Sequence, residues 1–259
     1  MTTIFDEIIS TFENEDIKEF YITKVIPEYP PYWEHVPASS SGRFHSAISL
    51  GEGGLKRHTF ALVRLMNYMF EVESVANNFT SRERDILRIA GLFHDSQKSG
   101  TQEDYEQNPQ TKFDHPLRAA KIIYNIDTDL ITPEEKTMLC KCIASHMGQF
   151  NTSKREPDIV LPKPQTKYEI IVHLCDYIVS RKDVEFKFDK KDLPEPEPLP
   201  DINTWAFPYG KYQGKTIPEV AAENPGYIHW AKTNMEREPA RSLLATFEIP
   251  KKEPAEDKS

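Results

Sequence analysis

The sequence predicts an all-α core domain followed by a small α+β module. Two observations predict the core: apolar residues recur at helical spacing from about residue 37 to 183, and no stretch there alternates like a strand. A third observation predicts the module, because alternating prolines separate the helical region from a short segment rich in aromatic residues, glycine and proline. A chain of 259 residues is long enough for both.

The N-terminal segment, residues 1–36, is predicted to contain one amphipathic helix and an irregular connection. Prolines at 27, 30 and 31 interrupt any regular element after the helix. The apolar residues of the helix recur at a spacing that brings them to one face: Ile4, Ile8, Ile9 and Phe12.

The core domain, residues 37–185, contains three helix starts of one type. In each, a threonine side chain can cap exposed N–H groups, and a glutamate three residues later can reach back to the threonine N–H. A proline at position 133 also suits a first helical turn. The sequence therefore predicts helices directly after three threonines, in the pairs Thr80 with Glu83, Thr132 with Glu135, and Thr166 with Glu169.

Residues 186–203 are predicted to be a proline-rich linker, because alternate prolines favour extended polyproline geometry. Residues 204–248 then form the small module. Its glycines indicate a hairpin from Tyr209 to Thr216, followed by one helix through Val220 and a second through Trp230. Residues 249–259 are predicted to be a disordered tail, since the final segment is charged and poor in apolar residues.

Charge and cysteine content exclude several classes of protein. The formal net charge of −9 argues against tight non-specific binding to a phosphate backbone, unless bound cations supply positive charge locally. Three cysteines are too few for a disulfide framework, so we expect a reducing, cytoplasmic location. The chain has no apolar run of membrane-spanning length and no signal peptide pattern at its N-terminus, so we expect a soluble protein without membrane partners.

Six nitrogen and oxygen donors stand at predicted helix ends or on apolar helix faces. A single histidine of this kind is more often a hydrogen-bonded core or surface residue than a metal ligand. An ordered series over several separate helices favours a metal site instead. Four imidazoles with two carboxylates suit Mn, Fe, Ni or Zn, and contain too much nitrogen for Ca or Mg. The candidate ligands are His58, His94, Asp95, His115, His146 and Asp176.

The cysteines are less suited to bind a metal ion. Cys140 and Cys142 lie near His146, but residues two apart face different sides of a helix, and no second cysteine pair has a matching spacing. Cys175 has no basic neighbour that would activate it. All three are interpreted as core residues. His173 precedes Asp176 by one helical turn and either packs or orients that carboxylate.

The order of the donors resembles that of the HD superfamily of metal-dependent phosphohydrolases. Over residues 37–183, a little over half the chain, the motifs read PASSSGRFH, GGLKRHT, HDSQK, DHP, SHMG and HLCD. They are most similar to the two-metal branch that contains bacterial 3′-to-5′ exoribonucleases. The chain departs from that pattern at Ser96 and Gln97, where Ile-Gly is usual, and at Met147, where a second histidine is usual. The N-terminal OB fold of those enzymes does not fit in the residues before Pro37.

The resemblance implies two divalent transition metal ions, with Mn, Fe, Ni and Zn all candidates. It implies that both ions share one carboxylate and activate a water as the nucleophile for attack on a phosphate ester. One ion would be held by His58, His94 and Asp176, the other by His115 and His146, and both by Asp95.

Further residues are candidates for catalysis and substrate binding. Asp95 and Lys98 are the predicted catalytic residues, with Lys98 adding a cation beside the phosphate oxygens. Without the resemblance, Lys98 is interpreted equally well as a solvated lysine after a helix end. Arg43 and His45 are candidates to contact the phosphate or the terminal hydroxyl of the substrate.

The C-terminal module resembles the small domain at the end of exodeoxyribonuclease X, on the segment FPYGKYQGKTIPEVAAENPGYIHW. Exposed tyrosines and lysines would bind a single strand by stacking and charge, with Lys211 and Lys215 as the candidate cations. Alternatively, the aromatic residues form the core of a very small domain. We expect this second role for Tyr227 and Trp230, and the exposed role for Tyr209 and Tyr212.

The first functional interpretation is a metal-dependent phosphodiesterase that acts as a 3′-to-5′ exonuclease on single-stranded DNA or RNA. The alternative is a phosphohydrolase of free nucleotides (dNTP or NMP) or a cyclic-dinucleotide phosphodiesterase, because the same metal cluster can hydrolyse any accessible phosphate ester. A third, non-enzymatic interpretation is a nucleotide sensor, against which the complete ligand set and Lys98 argue.

Overall fold

The computed structural model describes residues 4–39, 46–184, 187, 199–235 and 239–249. The chain divides into two compact units, Met1–Pro194 and Glu195–Ser259. The described residues contain twelve α-helices, together with short 3-10 and π-helical turns, and no β-strand. The predicted all-α core is therefore confirmed.

The N-terminal segment of the first unit contains two helices, α1 (Ile4–Ile9) and α2 (Glu15–Phe20). The sequence predicted α1, which buries Ile8. Phe12, predicted on the same helical face, lies beyond the end of α1 but is also buried. It did not predict α2, which buries Ile17 and Phe20. Where the prolines predicted an irregular connection, the chain forms short π-helical and 3-10 turns over Tyr21–Val25, Ile26–Glu28 and Pro31–Glu34.

Seven further helices complete the first unit. The long helix α3 packs on α5 and α9, and α8 packs on α5, α7 and α9, so that one apolar core lies between them. The helices are α3 (Gly54–Glu71), α4 (Glu73–Ala76), α5 (Ser81–Phe93), α6 (Gln102–Gln107), α7 (His115–Asn125), α8 (Pro133–Ser145) and α9 (Lys167–Val179).

The predicted helix starts have the expected caps. Thr80 and Thr132 each accept a hydrogen bond from the N–H of the glutamate three residues on, and that glutamate accepts one from the threonine N–H. At α9, Thr166 accepts from the Glu169 N–H, but the Glu169 carboxylate accepts from the N–H of Gln165, one residue earlier than expected. The first turns of these helices are therefore fixed by local hydrogen bonds.

The second unit contains α10 (Ile217–Glu223), α11 (Pro225–Asn234) and α12 (Ala240–Thr246). The expected hairpin is reduced to one antiparallel bridge between Ala206 and Thr216, so within the described residues the module has no strand. Its helices pack around a small apolar core of their own. Most of the predicted linker and nearly all of the predicted tail lie outside the described residues.

None of the helices described is both long and apolar enough to cross a membrane.

Candidate metal centre

The six predicted ligands come from five helices whose ends meet in the first unit. Two of them directly follow α5, one begins α7, one directly follows α8, and the remaining two lie within α3 and α9. In this order they are His94 and Asp95, His115, His146, His58 and Asp176. The helix packing therefore brings together residues that are up to 118 positions apart, from 58 to 176.

One half of the cluster centres on Asp95. Its Oδ1 lies 2.9 Å from His115 Nε2 and 3.5 Å from His146 Nε2. Its Oδ2 lies 3.5 Å from His94 Nε2. A single carboxylate thus faces three imidazoles.

The other half centres on Asp176. Its Oδ1 lies 3.0 Å from His58 Nε2 and 3.7 Å from His94 Nε2. Because His94 faces both carboxylates, the two halves are continuous. Three overlapping sets of donor atoms lie within 4.8 Å of one another: His58, His94 and Asp95; His94, His146 and Asp176; and Asp95, His115 and His146.

Hydrogen bonds to the main chain fix the tautomer of three histidines. In each, Nδ1 lies within hydrogen-bonding distance of a carbonyl oxygen, which can only accept, so Nδ1 carries the proton. The other ring nitrogen, Nε2, then keeps its lone pair and faces the cluster, as in protein metal sites. The pairs are His94 with Gly91 O at 2.8 Å, His115 with Lys112 O at 2.7 Å, and His146 with Ile143 O at 2.7 Å.

The cluster fits a metal better than it fits a purely structural polar network. His94 Nε2, Asp95 Oδ1 and His115 Nε2 are buried, and none makes a hydrogen bond of good geometry within the described part of the chain. Buried polar atoms of this kind reduce stability unless something binds them. Divalent ions would bind all three, and the mixture of imidazole and carboxylate suits a transition metal.

The surroundings keep the donors in their metal-binding protonation states. Burial raises the pKa of the Asp95 carboxyl, but the Lys98 ammonium and the neighbouring histidines outweigh it and hold that pKa well below its usual range. The pKa of Asp176 is likewise lowered, because a hydrogen bond with His58 and the other neighbouring histidines outweigh the effect of burial. Burial lowers the pKa of His115. Near neutral pH the carboxylates are therefore charged and His115 is neutral.

Lys98 lies at the solvent side of the cluster. Its Nζ is 2.5 Å from Asp95 Oδ2. Its side chain is 13% exposed and that of Asp176 is 16% exposed, whereas the side chains of the other five ligands are at most 3% exposed. Lys98 and Asp176 are therefore the members of this group that are most accessible to solvent.

The turn that carries Asp95 and Lys98 is held from behind by Tyr32. The buried Tyr32 hydroxyl donates to Gly100 O at 2.7 Å and accepts from Ser99 N at 3.1 Å. Sequence reasoning did not identify this tyrosine. It lies 67 residues from Ser99 in the chain, and nothing in its local pattern distinguishes it from an ordinary core aromatic residue.

Arg57 fixes the loop that leads into α3. Its guanidinium donates to the carbonyl oxygens of Ile48 at 2.7 Å, and of Leu50 and Glu52 at 2.8 Å each. This side chain is buried beside the ligand at position 58 and holds the start of α3 in place. The candidate substrate residues Arg43 and His45, in the preceding segment, lie outside the described residues.

His173 and the three cysteines, which lie near the ligands in the sequence, have contacts outside the donor cluster. His173 Nδ1 donates to His146 O at 2.7 Å, so it holds the main chain of that ligand and does not orient Asp176. Cys142 and Cys175 are buried in the core, as expected, and Cys140 is partly buried. None of the three cysteines joins a metal-binding set among the residues described.

In the C-terminal module, two of the aromatic predictions were wrong. Tyr212, expected to be exposed, is 3% exposed and belongs to the small core, whereas Trp230, expected in that core, is 52% exposed. Lys211 Nζ lies 5.1 Å from the centre of the Tyr212 ring. Lys215 is ion-paired with Glu223 and would have to leave it to bind a phosphate.

Comparison with known protein families gives two matches. Residues 56–180 match the family model of the HD domain, and residues 207–236 match that of the exodeoxyribonuclease X-like C-terminal domain. Searches of curated proteins and of solved structures found no match.

Proposed function

We propose that this chain, an HD-domain metal-dependent phosphohydrolase with an exodeoxyribonuclease X-like C-terminal module, is a 3′-to-5′ exonuclease on single-stranded DNA or RNA. The substrate class, the direction and the use of two metal ions are parts of this proposal. The observation that carries it is the cluster of six donors, five of them buried, in which two carboxylates face four imidazoles.

The chain's own residues would prepare the site in three ways. The main-chain carbonyls fix the tautomers of His94, His115 and His146, so that the ring nitrogens facing the cluster can bind metal at once. Asp95 stays ionised, because its pKa is well below the usual range. Lys98 keeps a positive charge at the open side of the cluster, where phosphate oxygens would lie. Divalent ions, when bound, lower the pKa of a coordinated water and neutralise charge on the phosphate.

The C-terminal module supports nucleic acid as the substrate class. It matches a domain of an exodeoxyribonuclease, and its described residues include the exposed aromatic side chains Tyr209 and Trp230 and the exposed Lys211. Aromatic faces and cations together are typical of surfaces that bind single strands. In the proposed enzyme, Lys211 and Lys215 contact the phosphates of the strand.

The low solvent exposure of the ligand side chains supports a second candidate, hydrolysis of free nucleotides or cyclic dinucleotides. Five of the six ligand side chains are at most 3% exposed, so only a small ester or the end of a strand can reach the cluster. This narrow access argues against cleavage within a duplex, but fits a strand terminus and a mononucleotide equally well.

One assay separates the candidates. The full chain with Mn²⁺ is incubated with single-stranded DNA and RNA labelled at the 5′ end, with a panel of dNTPs and NMPs, and with cyclic dinucleotides. A ladder that shortens towards the labelled end supports 3′-to-5′ exonuclease activity. Release of inorganic phosphate from NMPs or of triphosphate from dNTPs, or opening of a cyclic dinucleotide to its linear form, without a ladder, supports the second candidate.

Two variants control this assay. Asp95→Asn keeps the size of the side chain but removes the central negative charge, and should abolish hydrolysis of every substrate. Asp127→Asn makes the same chemical change at an exposed position after α7 and should leave hydrolysis unchanged. Wild-type rates in a metal-replete Asp95→Asn enzyme would contradict the proposal.

A further inference from the structure

Beside the metal cluster, two aromatic rings and one guanidinium form a surface that the proposed hydrolysis does not yet use. We call Phe150, Tyr177 and Arg181 the α9 platform. The Phe150 and Tyr177 rings are nearly parallel, with an interplanar angle of 21° and centroids 6.3 Å apart. The Arg181 guanidinium carbon lies 4.5 Å from the centre of the Tyr177 ring.

The platform is continuous with two of the metal ligands. Tyr177 directly follows Asp176 in α9, and Phe150 follows His146 in the next turn of the chain. His173 joins the two segments, because it hydrogen-bonds His146 O at 2.7 Å and its ring lies 6.1 Å from that of Tyr177. Asp176 is also the most exposed ligand of the cluster, and Tyr177 is its direct neighbour in α9.

Gly148 brings the two segments close together. It has φ +56, and a Cβ at this position would lie 2.1 Å from His173 Cε1. Only a residue without a side chain lets the His173 ring lie directly against this turn. The position of Phe150 relative to α9 is therefore fixed by close packing.

The platform has the properties of a binding surface and not of a core. Phe150 is 51% exposed and does not belong to the hydrophobic core of the unit. Arg181 makes no ion pair with any described carboxylate, so its charge is not neutralised within that part of the chain. An exposed aromatic face next to a cation suits a flat, uncharged ring attached to a phosphate, which describes a nucleotide.

We propose that the α9 platform binds the nucleobase of the substrate by stacking on Phe150 and Tyr177, with Arg181 adding positive charge for a neighbouring phosphate. This inference rests on the proposed function in one respect, the assumption that the phosphate ester at the metal cluster belongs to a nucleotide. It names a site for the base that the ligand cluster alone does not provide.

The test is a binding measurement on the metal-loaded full chain with two probes that differ only by the base. Adenosine 5′-monophosphate and ribose 5-phosphate are titrated by calorimetry, with phosphate release monitored to show that the probes stay intact. Stacking of one base on an aromatic side chain should make the wild type bind the nucleotide roughly 5- to 150-fold more tightly.

Variants of the platform should change this ratio specifically. Phe150→Ala should bring the ratio of the affinity for adenosine 5′-monophosphate to that for ribose 5-phosphate close to one, without altering the affinity for ribose 5-phosphate. Phe150→Trp should retain the wild-type ratio. Tyr124→Ala removes another exposed ring, 72% exposed near the C-terminal end of α7, and should change neither affinity. Equal affinity of the wild type for the two probes, or an undiminished ratio in Phe150→Ala, would overturn the inference.

The result is separable from that of the hydrolysis assay. A base preference that depends on Phe150, in a protein that does not shorten single strands, would support the platform and contradict the exonuclease. Shortening of single strands by a protein without base preference would support the exonuclease and contradict the platform.

Discussion

Loss of a single hydroxyl group, that of Tyr32, should loosen the turn that presents Asp95 and Lys98. In Tyr32→Phe the buried ring remains, but Ser99 N–H and Gly100 O lose their partner at 3.1 and 2.7 Å. A buried donor or acceptor without a partner costs about 1–3 kcal/mol. With partial relaxation of the turn, we expect the free energy of unfolding to fall by roughly 2–4 kcal/mol, since two such groups are affected.

This change is large enough to measure in two ways. For a domain of this size each kcal/mol lowers Tm by about 2–4 °C, so Tm should fall by roughly 4–16 °C. Calorimetric titration with Mn²⁺ should also show weaker binding, because the Asp95 carboxylate is no longer held in one position. Both measurements use the full chain, with the metal removed before the unfolding experiment.

Tyr21→Phe is the matched control. The hydroxyl of this buried tyrosine makes one long contact of 3.3 Å, with the hydroxyl of Tyr29, and the residue is distant in sequence from the turn. It should lower the free energy of unfolding by about 1 kcal/mol or less and leave Mn²⁺ affinity unchanged. If Tyr32→Phe behaved like Tyr21→Phe in both measurements, the idea that the hydroxyl positions the metal-binding turn would be wrong.

Three further predictions concern the cluster and its support. Asp95→Ala should lose all tightly bound metal, because Asp95 is the ligand that both ions would share. His58→Ala should retain one ion, because His58 would hold only one of the two; metal analysis of the purified variants measures this. Burial raises the pKa of Glu135, but hydrogen bonds, chiefly from Arg82 on α5, outweigh it and lower that pKa. The resulting stability is present above the unfolded pKa of about 4.3 and is lost as pH falls through the lower folded value, so Glu135→Gln should flatten the rise of unfolding free energy between about pH 2 and 5. The effect should be about 1 kcal/mol or less, since the pair is partly exposed. Gly148→Ala should lower the free energy of unfolding by roughly 1–3 kcal/mol through its positive φ and its clash with a histidine ring, and an unchanged Tm would contradict the close packing.

The helix starts could be predicted from the sequence because their causes are local. The side chains of a threonine and of a glutamate three residues later each accept a hydrogen bond from the main-chain N–H of the other residue, whatever the rest of the fold does. Two of the three predicted pairs make both bonds. The same local rule operates at Thr101, which was not predicted as a helix start, and at Thr216, where the following helix was predicted but its cap was not. Helix α2 was missed, because its first turn depends on a contact with a distant residue: the buried carboxylate of Asp85 accepts hydrogen bonds from the main chain of Glu13 and Asn14.

The aromatic residues of the C-terminal module show where sequence reasoning fails. Tyr212 is buried, whereas Trp230 is half exposed. Which ring fills the core of so small a unit depends on how α10 and α11 pack, and that is a property of the whole unit.

Residue type and spacing along the chain were sufficient to predict the six donors, several of the helix starts, and an HD domain followed by a second module. The folded chain was needed to see that five helices bring the donors into one cluster, that Tyr32 supports the turn that carries Asp95, and that Phe150 stacks on Tyr177. Such contacts join residues far apart in the chain, and their geometry is set by the packing of the helices, which no local pattern specifies.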